Sequence, residues 1–187
     1  MPLTDLLVPT YRNMLKTLAG LLDTAERQAP AGAEGLLSAR LAPDMLPLAA
    51  QLRFAAYQAQ DATFRLRGQA IPPSLAAVAA EGREAGDAPG SLADARARID
   101  QALSHLDGLT DDALDAGDTL PIAIELPGGV TFDMTGETYA RDWALPQFYF
   151  HVVTAYAILR NQGIGIGKAD YVPHMFAYLR SAPAPSA

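Results

Sequence analysis

One imidazole sits within the most apolar stretch of the chain. His151 lies between Leu145 and Arg160, where polar side chains are few, and Gln147 stands four residues before it. On a helix that spacing puts both side chains on one face, about one turn apart. It is the geometry by which two side chains grip one metal ion or one water. Glutamine is a poor transition-metal ligand, because its amide oxygen is neutral and weakly basic. The simpler reading is a buried His-Gln pair that satisfy each other or a bridging water, since buried polar groups need partners.

The other candidates are weaker. His105 and His174 stand alone, with no H-x-x-x-H or HExxH element, and read as surface or boundary residues. Gly163 to Lys168 invites a phosphate-loop reading and fails it. The spacing is wrong, Ala169 stands where a hydroxyl is needed, and the segment follows a helix rather than a strand. A helix end with Gly163 at positive φ is expected instead, leaving Lys168 and Asp170 as turn residues. Asp44 reads as a helix N-cap, Arg40 as a partner for an acid, and Asp133, Glu137 and Asp142 as an acidic helix start. No Ser-His-Asp set can be assembled.

These residues need helices to position them. Leu7, Tyr11, Met14, Leu18, Leu21, Leu22 and Ala25 follow the three-four spacing of an amphipathic helix, with Thr4 or Asp5 as its cap. A second helix is expected from Pro43-Asp44 to Gly68, with Met45, Leu48, Leu52, Ala56, Ala59 and Thr63 as its buried stripe. The Ala-, Pro- and Gly-rich run from Gln69 to Gly90 reads as a long connection holding a short helix at Ser74 to Glu84. Ser91 followed by Asp94 resembles a capping box and opens a third helix. Leu120 to Leu126 and Val130 to Met134, joined by Pro127-Gly128-Gly129, predict a β-hairpin. The last helix is expected from Thr135–Tyr139 to Gly163. The fold class is therefore all-α, a four-helix bundle with a small β-hairpin before the last helix. One domain covers 1–180, and 181–187 reads as a disordered tail.

Composition narrows the functions. The 187 residues suit one domain, 50% of them are apolar, and the formal charge is -7. Such a balance argues against nucleic acid and against an anionic membrane surface. No stretch is long enough to span a bilayer, and no signal peptide is evident. The absence of cysteine removes thiolate metal sites and suits a cytoplasmic protein.

Arg40 to Leu48, Leu145 to His151, Ala155 to Arg160 and Gly167 to Tyr171 resemble an uncharacterised bacterial family, a domain of unknown function grouped with the DinB/YfiT-like four-helix proteins. The likeness runs from Leu3 to Tyr171. Metal-binding members of that group place one histidine on the second helix and an H-x-x-x-H pair on the last. The resemblance carries the pair onto Gln147 and His151 and the remaining ligand onto Gln51. It thus implies a degenerate metal site with one imidazole and two neutral amides. The expectation is a non-catalytic or weakly catalytic protein with no cofactor, binding a neutral small molecule between helices. Its pocket is expected to be lined by Gln51, Gln147, His151, Tyr57, Phe148 and Tyr156. The alternative is a metal-dependent hydrolase or thiol transferase with Zn or Ni on His151. A third reading is an interaction protein that forms a homodimer through a helix face.

Overall fold

A computed structural model describes residues 1–180, so the expected tail at 181–187 lies outside the described residues. Four long helices make the body: α1 (Leu3–Gln28), α2 (Leu48–Leu66), α4 (Leu92–Asp107) and α6 (Leu145–Asn161). Around the bundle, α1 lies against α4 and α6, and α2 against α4 and α6, so α2 occupies the side opposite α1. A shorter helix, α3 (Pro73–Glu84), covers the outer face of α2. The apolar stripe expected for α1 is fully buried. Facing it, α2 buries a row of alanines (Ala49, Ala55, Ala56, Ala59 and Ala62), which lets its neighbours approach closely.

Several boundaries follow from local chemistry. The α2 helix opens at Leu48 rather than at Asp44. Pro47 holds an extended backbone (ψ 172°), and the residue before a proline is steered away from the helical region. Asp44 therefore sits in an exposed turn and caps nothing. Thr4 likewise is no simple cap. It is buried, and Asp115 accepts from both its amide (2.9 Å) and its hydroxyl (2.7 Å), tying the start of α1 to the turn before the hairpin. The capping box of α4 is present: Ser91 Oγ accepts from the Asp94 amide at 3.1 Å and Asp94 accepts from the Ser91 amide at 2.9 Å.

The hairpin pairs β1 (Pro121–Leu126) with β2 (Val130–Thr135), from Pro121 opposite Thr135 to Leu126 opposite Val130. Gly128 and Gly129 both take positive φ (88° and 81°) at its tip. Thr135 then caps α5 (Gly136–Tyr139), which runs without a break through a π-helical turn at Ala140–Ala144 into α6. Pro146 explains that turn. It has no N–H to donate back along the helix, and its ring needs room there. The Leu145 amide reaches back to the Ala140 carbonyl, five residues away, and widens the helix just before the proline. The helix α6 ends at Asn161, and Gly163 just beyond its cap takes φ 83°, as expected. In the short helix α7 (Lys168–Tyr171), Asp170 accepts from the Gly167 amide at 2.7 Å and forms no ion pair with Lys168 among the described residues.

Candidate functional site

Two residues 100 positions apart in the chain meet where α2 packs on α6. His151 Nδ1 lies 2.8 Å from Gln51 Oε1, and both residues are buried, at 9% and 2% exposure. The amide of Gln51 is anchored on its other side, where Nε2 donates to the Leu46 carbonyl at 3.1 Å. A carbonyl can only accept, so the nitrogen of the Gln51 amide must face Leu46 and its oxygen must face the imidazole. The proton of His151 is therefore on Nδ1, and Nε2 keeps its lone pair, with no partner among the described residues.

Aromatic rings frame this imidazole. Phe54 stacks on it at 5.1 Å between centroids, and Phe150, 55% exposed, meets it edge-on at 5.4 Å. Gly82 of α3 leaves room for the Phe54 ring, since a Cβ there would lie 3.0 Å from Cζ of that ring. Burial in these surroundings drives the His151 pKa down to about 4, so the ring is neutral near pH 7.

That shift predicts a pH dependence. In the unfolded chain the imidazole takes up its proton near its ordinary value of 6.5, while the folded protein refuses it until about 4. Between those values the unfolded state binds more protons, so stability falls as the pH drops from about 6.5 toward about 4, by up to roughly 3 kcal/mol. Urea unfolding across this window should show the fall. In a His151→Gln variant the slope should flatten to whatever the other groups contribute, among them the half-buried His105.

The remaining sequence candidates have other partners. Gln147 is half-buried one turn before His151 and makes no hydrogen bond to it among the described residues. Tyr57 donates to Asp61 at 2.9 Å. Phe148 is fully buried with its ring edge-on to Tyr11 at 4.7 Å. Tyr156 packs against Tyr171 at 5.6 Å, where it helps line a shallow 190 Å³ apolar cleft. Phe54 and Phe150, which do flank the imidazole, were not among the expected lining. Five surface cavities, of 190 to 420 Å³, are lined by other side chains than Gln51, Gln147 and His151. His105 also has a structural setting. Its Nε2 lies 2.7 Å from the Thr63 hydroxyl, and its ring stacks on Phe64 at 5.0 Å.

The donor set here fits a metal poorly. The oxygen of Gln51 is engaged by the Nδ1–H of His151 and its nitrogen by Leu46, which leaves the imidazole Nε2 and the half-buried Gln147 amide. Among the described residues no group of three or more His, Asp or Glu side chains is placed to hold a metal ion.

An all-α bundle with a hairpin feeding the last helix is the DinB-like architecture. The chain is similar to the crystal structure of a DinB family member protein from Shewanella denitrificans, with 32% identity over 98% of this chain and 96% of that one, at a TM-score of 0.72. The family model described as Domain of unknown function (DUF1993) matches residues 3–172, and the chain belongs to that family. No curated protein matches it. No helix among the described residues is long and apolar enough to cross a membrane.

Proposed function

We propose that this protein is a non-catalytic, metal-free binding protein that takes a small neutral ligand at the α2–α6 seam, against Nε2 of His151. The supporting observation is the fixed tautomer: Gln51 accepts from Nδ1 and leaves Nε2 as a free acceptor beside exposed Phe150. Such a site selects a ligand that offers one O–H or N–H donor on an apolar body, with Gln147 as a second polar contact. Its low basicity makes His151 a poor proton acceptor in catalysis but leaves it an adequate hydrogen-bond acceptor.

Phenol and anisole test the reading, because anisole keeps the ring and the oxygen and carries a methyl group in place of the donor hydrogen. In nitrogen-15 spectra of the imidazole, phenol is expected to move the Nε2 resonance of His151 saturably, and anisole to leave it in place. His151→Ala should abolish the phenol response of neighbouring amides. Equal responses to both probes, or to neither, would overturn the ligand class. The rival reading is a metal enzyme, and elemental analysis of protein purified without chelator separates the two. Stoichiometric zinc or nickel that disappears in His151→Ala would remove the metal-free proposal.

A further inference from the structure

A second polar site lies on the other side of α2, where α3 and α4 leave a cleft of about 370 Å³. Six of the residues lining it bear on its chemistry: Arg53, Glu81, Glu84, Gly90, Asp94 and Arg98. Arg53 is only 3% exposed. A guanidinium carries five N–H donors, yet this one makes a single hydrogen bond, from Nη1 to the Ala49 carbonyl at 3.0 Å. Its Nε is buried with no hydrogen-bond partner. Glu81 does not fill the gap. Its carboxylate is held by Arg98 through Nε at 2.9 Å and through Nη2, and reaches the Arg53 Nε only as a longer ion pair, at 3.5 Å and without a hydrogen bond.

The backbone is cleared for this guanidinium. Gly90 takes φ 70°, and a Cβ there would lie 2.6 Å from Arg53 Nη2 and 3.2 Å from Asp94 Oδ2. Both signs of charge thus reach the bare face of one glycine. Asp94 spends Oδ2 on Ser91 as part of the α4 cap, and its Oδ1 makes no hydrogen bond among the described residues. Glu84 is exposed and has no ion-pair partner among the described residues.

We propose that this cleft binds a small zwitterion of the α-amino-acid type. Its carboxylate is received by the unspent donors of Arg53 and its ammonium group by Glu84 and Asp94. A buried guanidinium with idle donors is costly, and a carboxylate is the group whose geometry matches them best. A bare anion would meet the acidic side chains of Glu84 and Asp94 at the rim, and a bare cation would meet Arg53. Only a ligand carrying both charges is favoured at each end. The cleft volume lies within the range of small-molecule sites.

The test is an NMR titration of the whole chain that follows the Gly90 amide and the Arg53 Nε–H, with L-alanine, acetate and ethylammonium as probes. L-alanine is expected to shift both signals saturably, with acetate and ethylammonium each weaker by about tenfold or more. Arg53→Gln should abolish the response. Because that buried position bears on folding, the exposed Glu84→Gln supplies a second arm. It should weaken L-alanine and leave acetate unchanged or improved. No saturable shift with L-alanine overturns the proposal. Acetate binding as tightly as L-alanine, or Glu84→Gln leaving L-alanine unaffected, overturns the zwitterion class.

Discussion

Asp61→Ala is expected to destabilise the protein by about 4 kcal/mol, the scale seen when one partner of a buried charged pair is removed. Asp61 is 3% exposed and sits in the C-terminal half of α2 with three donors upon it. Tyr57 donates to Oδ1 at 2.9 Å, while Arg65 Nε (2.7 Å) and the fully buried Tyr139 hydroxyl (3.2 Å) donate to Oδ2. Cutting back the carboxylate leaves a buried phenol without an acceptor and a half-buried guanidinium without its counterion, and each carries its own desolvation cost. The helices lose a tie as well, since Tyr139 belongs to the α5–α6 run and Asp61 to α2. Asp61→Asn keeps the shape and one acceptor oxygen and should cost less than the alanine. Urea denaturation gives the energies, and an ultraviolet pH titration of tyrosine gives an independent readout. Burial first, and then the charge and the hydrogen bond of Asp61, together raise the Tyr57 pKa to about 12. In Asp61→Ala the Tyr57 phenol should therefore ionise at lower pH, with the share due to burial remaining.

That cluster also marks where reading the sequence stops. The α1 stripe, the α4 capping box and the Pro-Gly-Gly hairpin were legible because each rests on neighbours within one element, where periodicity and turn chemistry act. The start of α2 escapes the sequence because Pro47 outweighs a good cap residue at Asp44. The site is another matter. Gln51 and His151 stand 100 residues apart, and no pattern internal to either helix joins them. It took a family resemblance to put Gln51 beside the imidazole. Tyr156 and Tyr57, expected at that site, lie elsewhere for a geometric reason. Tyr156 comes five residues after His151, which turns it about 140° around the helix, toward Tyr171. Tyr57 comes six residues after Gln51 and is carried about as far round, onto Asp61. Phe54 and Phe150 had a usable signal. Phe54 is three residues past Gln51, on the same face of α2, and Phe150 directly precedes the histidine on α6.

Gly136→Ala is expected to cost about 3 kcal/mol or more, because it puts a methyl group where the backbone has left no space. Three chain segments cross at this point. A Cβ on Gly136 would fall inside the carbonyl oxygen of Gly117, and a Cβ on Gly117 would fall inside the carbonyl oxygen of Leu66, at the end of α2. Neither glycine takes positive φ, so the requirement is one of room and not of backbone conformation. Backbone atoms cannot swing aside as the end of a long side chain can, and relief would require the hairpin and the start of α5 to move off α2. The Glu137 amide, which donates to the Asp118 carbonyl at 2.8 Å, would move with them. For a chain of this length the loss corresponds to a fall in Tm of roughly 10 °C. Gly20→Ala is the control: Gly20 is exposed within α1, and a Cβ there meets nothing within 4 Å. It should stabilise the protein by about 1 kcal/mol through helix propensity. The crossing clamps the end of α2 to the start of the α5–α6 run, and these two helices carry Gln51 and His151. Gly136→Ala should therefore also loosen their contact, read as a His151 pKa that rises from about 4 toward its ordinary value of 6.5. A variant that loses stability while its His151 titration stays unchanged would show that the α2–α6 seam holds its geometry without the crossing.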